Sequence, residues 1–80
     1  GSGGNLHSIL DYCDTRLDLD GILVLALATV ERINTAYSWF ESKRWHYQWL
    51  QVQLSKSVPV GKLTRFNPLN PITIVTAWKC

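Results

Sequence analysis

The chain has 80 residues, 46% apolar and 18% charged, with a formal net charge of +2; this suits one small globular domain and excludes a disordered chain. Its longest apolar run, Ile22 to Ala28, falls far short of the roughly 20 residues a membrane helix needs, and no basic stretch leads into an apolar one as a secretion signal would. Charge is divided unevenly: residues 1–42 hold all six acids against Arg16 and Arg32, whereas residues 43–80 hold six cations and no acid.

Gly1 to Gly4 read as a cloning scar or flexible linker, leaving residues 5–80 as a single domain. The absence of methionine suggests a domain excised from a larger protein. Leu6, Ile9, Leu10, Cys13 and Leu17 recur at the spacing of an amphipathic helix, with Asn5 placed to cap it. Asp18-Leu19-Asp20-Gly21 reads as a turn. A second helix is expected from about Ile22 to Ser42, apolar all round in its first turns and narrowing to a stripe of Ile22, Ala26, Val30, Ile33, Tyr37 and Phe40. Lys43 and Arg44 then complement the helix dipole.

From Trp45 the period changes to two. Trp45, Tyr47 and Trp49 share one strand face and Leu50, Val52 and Leu54 the other, so a β-bulge between Trp49 and Leu50 would keep both sets on the core side. Ser55 to Gly61 reads as a loop, because Pro59 cannot donate to a ladder. Lys62 to Phe66 is a short strand, Asn67 to Pro71 a turn, and Ile72 to Trp78 a β-branched strand. The expected fold is α+β: a two-helix hairpin followed by a three-stranded antiparallel sheet, ααβββ.

No catalytic constellation stands out. Cys13 lies on the buried stripe of the first helix, where a thiol behaves as a small hydrophobe, so a pairing with His46 is not expected. Asp11 and Asp14 suit a solvated face, and Asp18 and Asp20 suit a helix cap. Asp14, Asp18 and Asp20 loosely resemble a calcium loop, but residues 21–28 supply no further ligand. GxGxxG and GxxxxGK[ST] loops are absent from the sequence. The residues therefore predict no enzyme, no cofactor and no metal.

Cys13 and Cys80 belong to no CxxC or Cys/His cluster, which points to an intracellular, cytoplasmic protein, with a Cys13–Cys80 disulfide left open. The composition leads to a small regulatory module for protein interaction or oligomerisation, its partner another protein or a second copy of itself. The alternative is a domain that binds single-stranded or structured nucleic acid through its basic, aromatic-rich half. In either case Lys43, Arg44, Trp45, His46, Lys62 and Arg65 are the candidate contact residues.

Overall fold

The computed structural model describes residues 5–79. The elements run α1 (Leu6–Arg16), β1 (Ile22–Leu27), α2 (Val30–Lys43), β2 (His46–Val52), β3 (Ser55–Val60), β4 (Leu63–Pro68) and β5 (Ile72–Trp78). They form a three-stranded sheet of order β1-β5-β2 and a separate β3–β4 ribbon.

The ααβββ expectation is thereby corrected. The stretch expected as one helix from Ile22 to Ser42 divides into a strand, a short turn and a helix. Six consecutive apolar residues suit a strand packed on both faces as well as a buried helix, and periodicity alone does not separate the two. The turn between them is fixed locally. Thr29 is extended and its side chain accepts from the Arg32 amide at 3.3 Å, which opens α2. At the other end Arg44 takes a left-handed conformation with φ 58° and closes it. Asn5 precedes α1 but makes no side-chain cap.

Upstream, a tight turn joins α1 to β1, where the Gly21 amide donates to Asp18 O at 2.9 Å. A Cβ on Gly21 would lie 2.5 Å from Leu17 Cγ, so the close approach requires glycine. Lys79, just past β5, donates to the Asp14 and Leu17 carbonyls at 2.8 and 2.7 Å and ties the end of α1 to the sheet.

β5 is antiparallel to both of its neighbours, so β1 and β2 are parallel to one another with α2 as their crossover. Pairing of β2 runs unbroken from His46↔Trp78 to Val52↔Ile72, and the expected bulge is absent. The apparent slip in phase arises because both strand faces carry apolar residues. Leu23, Leu25, Leu27, Tyr47, Trp49, Thr73, Val75 and Ala77 share the face that meets the helices, where Leu6, Leu10, Ala36, Trp39, Phe40 and Trp45 complete the core. The opposite face carries Ile22, Val24, Leu50, Ile72 and Trp78, all exposed.

The expected loop at 55–61 is a strand. β3 pairs with β4 from Ser55↔Pro68 to Val60↔Leu63, and Pro59 is accommodated because the ribbon has an open edge. The expected strand at 62–66 runs on to Pro68, so the Asn67–Pro71 turn contracts to the residues just before β5. Cys13 is half-buried; Cys80, and with it the disulfide question, lies outside the described residues, as does the Gly1–Gly4 segment.

Candidate functional site

Ligands of open α/β sheets bind beyond the carboxyl ends of the parallel strands, where the backbone leaves the sheet and side chains from several elements converge. In this chain that end is marked by the aligned row Leu27, Thr73 and Gln51. A cleft of about 470 Å³ opens there, lined by Ile33 and Tyr37 of α2, Trp49 and Gln51 of β2 and Thr73 of β5.

Each lining residue is placed by local rules. Ile33 and Tyr37 are four apart and share one face of α2. Trp49 and Gln51 are two apart and share one face of β2. Thr73 is buried and stands opposite Gln51. Two large aromatics with two polar side chains at one end suit a flat, largely apolar ligand whose rim carries hydrogen-bonding groups.

The aromatic wall continues into the core. Tyr47 packs edge-on to Tyr37 at 6.0 Å and to Trp49 at 6.1 Å, and stacks on Phe40 at 5.9 Å. Phe40 in turn stacks on Trp45 at 6.0 Å. The Tyr47 hydroxyl donates to the Glu41 carboxylate, which pushes the phenol up to about 12, with burial adding to the shift. Tyr47 is thus protonated at neutral pH and braces the wall; it does not act as a base.

A second polar cluster lies between the helices. The Trp39 indole N–H donates to Asp11 Oδ1 at 2.9 Å, and His7 Nδ1 lies 3.2 Å from Asp11 Oδ2. The Trp39 hydrogen bond, with His7 and Lys43 nearby, holds the Asp11 carboxyl below its usual range. This cluster fastens α1 to α2 and lies away from the parallel-strand ends. Among the described residues no three His, Cys, Asp or Glu gather to hold a metal.

The six contact residues expected from sequence do not form one surface. Lys43, Arg44, Trp45 and His46 sit at the α2–β2 junction, while Lys62 and Arg65 lie on the β3–β4 ribbon. Trp45 is only 6% exposed and packs on Trp39 and Phe40, which removes it as a contact residue. Lys43 faces its own chain, 3.9 Å from Asp14 and above the Trp39 ring. His46 stacks on Trp78. The cleft residues were read from sequence as core or left unremarked. Their signal was the row Tyr47, Trp49, Gln51, an aromatic strand face that ends in a polar residue.

Parallel β1 and β2 joined by α2, with antiparallel β5 inserted between them and helices on one face, form the fold of a methyltransferase domain. The particular proteins it resembles agree. A solved structure of precorrin-6y C5,15-methyltransferase from Geobacter metallireducens matches with a TM-score of 0.86 and 33% identity, over 99% of this chain and 42% of that one. A curated protein of Pyrobaculum aerophilum, a probable cobalt-precorrin-6B C(15)-methyltransferase (decarboxylating), is 31% identical over 79 residues, which cover 95% of this chain and 40% of the relative. A putative precorrin-6Y C5,15-methyltransferase domain from Corynebacterium diphtheriae shares the fold, with a TM-score of 0.77 at 21% identity over 100% of this chain and 46% of that one. No protein-family model matches the chain.

The chain spans less than half the length of each of these proteins. The likenesses overturn the expectation of a non-enzymatic interaction, oligomerisation or regulatory module, and with it the nucleic-acid alternative: the similar proteins are enzymes. Among the described residues no helix is long and apolar enough to cross a membrane.

Proposed function

We propose that this chain forms part of a methyltransferase acting on a ring carbon of a precorrin-type tetrapyrrole, and that it contributes the outer strands of the sheet and one wall of the substrate cleft. The supporting observation is the likeness to the Geobacter metallireducens methyltransferase, TM-score 0.86 at 33% identity over 99% of this chain. The cleft chemistry suits that substrate class. A conjugated macrocycle is flat and apolar on its faces and polar at its rim, matching the Tyr37 and Trp49 rings with Gln51 and Thr73 beside them.

Methyl transfer to carbon depends on holding a ring carbon in line with an electrophilic methyl group. Under this proposal Trp49, Tyr37 and Ile33 position the macrocycle edge and exclude water, while Gln51 and Thr73 fix its orientation through hydrogen bonds. Neither GxGxxG nor GxxxxGK[ST] occurs in the sequence, and under this proposal donor binding falls to the portion that the similar methyltransferase has outside the matched region. The expected cytoplasmic location belongs with this proposal, supported by the absence of a cysteine framework.

The test is to co-express the chain with the part of the Geobacter metallireducens protein outside the matched region and to assay the purified pair with a precorrin-6y-type substrate. Mass spectrometry should show a methylated product, and Trp49→Ala should lower kcat/KM by about tenfold or more. A stably assembled pair that leaves the tetrapyrrole unmethylated rejects the proposal.

A further inference from the structure

Residues 43–80 carry six cations and no acid, and the fold divides those cations between the two ends of the sheet. Lys43, Arg44 and Lys79 lie at the end where β2 begins and β5 finishes; Lys43 faces Asp14 there and Lys79 binds carbonyls of α1. Lys56, Lys62 and Arg65 all belong to the β3–β4 hairpin. That ribbon leaves the sheet at the opposite end, between the last residue of β2 and the first of β5, beside the Gln51↔Thr73 pair that lines the cleft.

The register places two of the three cations on one face. Lys56 pairs with Asn67 and Val58 with Arg65, and residues two apart on a strand point the same way. Lys56, Arg65 and Asn67 therefore share a face, with Lys56 and Arg65 diagonal neighbours roughly 7–8 Å apart. Five residues separate Lys56 from Gln51, at most about 17 Å of extended chain, so a lysine near the ribbon base stays within reach of the cleft rim. Lys62 sits in the tip loop, four residue pairs farther out.

Neighbouring like charges repel, and among the described residues neither Lys56 nor Arg65 pairs with a carboxylate. Glu31 is also at this end of the sheet, but in the first turn of α2, where it complements the helix dipole. The cleft lining itself holds no charged side chain. A guanidinium that takes a carboxylate through two parallel N–H bonds, beside an ammonium and an amide N–H, is a donor set for a ligand's carboxylate.

We propose that Lys56, Arg65 and Asn67 form an anion-binding rim to the cleft and, on the tetrapyrrole reading of that cleft, take carboxylate substituents at the ring's edge. The ring faces meet Tyr37 and Trp49, its neutral polar atoms meet Gln51 and Thr73, and its acidic groups reach outward to the ribbon.

Quenching of tryptophan fluorescence by two porphyrins tests this: uroporphyrin, whose rim bears carboxylates, and tetra(N-methylpyridyl)porphyrin, the same ring with cations at its rim. The chain binds uroporphyrin more tightly by about tenfold or more, and the preference narrows as salt is raised. Arg65→Gln and Lys56→Gln, both at exposed positions, each weaken uroporphyrin binding by about fivefold or more, whereas Lys56→Arg keeps it. Lys62→Gln removes an equal charge at the tip, more than a Debye length of about 8 Å from Lys56, and changes binding by less than about twofold.

Equal losses in Arg65→Gln and Lys62→Gln overturn the proposal, leaving net charge alone as the attraction. Equal binding of the two porphyrins also overturns it. Tyr37→Ala, at an exposed cleft position, bears separately on the proposed function. Ring binding that needs Tyr37 but neither Lys56 nor Arg65 rejects the anion rim alone; binding that needs Lys56 and Arg65 but not Tyr37 rejects the tetrapyrrole cleft alone. Failure to bind uroporphyrin at all rejects both.

Discussion

Tyr47 connects the core to the cleft wall, and its hydroxyl makes that connection measurable. The phenol is held up at about 12 chiefly by donating to Glu41, with burial and the Glu41 charge acting in the same direction. An unfolded tyrosine ionises near 10. A group whose folded pKa is raised adds stability that is complete below the unfolded value and is lost as pH rises through the folded one. The hydrogen bond therefore supports the fold at neutral pH and fails between about pH 10 and 12. Tyrosinate absorbance should show one of the chain's three phenols ionising only near pH 12. Glu41→Gln should bring that phenol down toward 10, the ordinary value. A parent chain in which no phenol ionises near pH 12 would show that the Glu41 contact is not made.

Among the elements, the β3–β4 ribbon stands apart, since its strands pair only with each other and nearly all of their residues are exposed. Its base is closed by the Leu69 amide donating to Leu54 O at 2.8 Å. Its tip is a two-residue loop in which Gly61 has φ +61°, the positive value a tight hairpin demands at its first loop position. A Cβ there would meet nothing within 4 Å, so the cost of Gly61→Ala is conformational alone. We expect about 1 kcal/mol, the left-handed penalty of an L-residue partly offset by a less flexible unfolded chain. Because the ribbon opens locally, hydrogen exchange across β3 and β4 should quicken about fivefold while the melting of the main sheet stays put. An equal loss across both sheets would show that the ribbon is coupled to the core. The ribbon also marks where the sequence stopped being informative. α1 was legible because its apolar residues keep a helical period, and β5 because the β-branched run Ile72-Thr73-Ile74-Val75-Thr76 follows a turn and favours a strand. β1 was not, because a strand with apolar residues on both faces has no period, and β3 was not, because Pro59 and its polar neighbours resemble a loop. Of the cleft, the aromatic residues were visible but their convergence was not; it depends on β5 entering between β1 and β2, a pairing that local pattern does not encode.

For the whole molecule, the sheet packs its hydrophobic core on one side only, so the margin of stability rests on few residues. Phe40 is fully buried and has ring contacts with Trp39, Trp45 and Tyr47, which makes it the hinge between α2 and the sheet. Truncating such a residue to alanine costs about 3–5 kcal/mol. A domain of this size holds roughly 4–12 kcal/mol in total, and one with an uncovered apolar sheet face lies toward the low end. Phe40→Ala should therefore leave a large share of the chain unfolded without denaturant, whereas Phe40→Leu, which keeps most of the volume, should remain folded with a lower midpoint. Tryptophan fluorescence in a urea titration reads this directly, because Trp39 and Trp45 lie against the mutated ring. Under the proposed function, the portion that the similar methyltransferase has outside the matched region should reverse much of the loss. A partner that binds only the folded chain adds about 2.7 kcal/mol when present at a hundred times its dissociation constant, close to the deficit that Phe40→Ala creates. Recovery of the tryptophan signal on titrating in that partner would show that it binds the folded chain and restores the missing stability. A Phe40→Ala chain that stays fully folded alone would show instead that the one-sided core is sufficient.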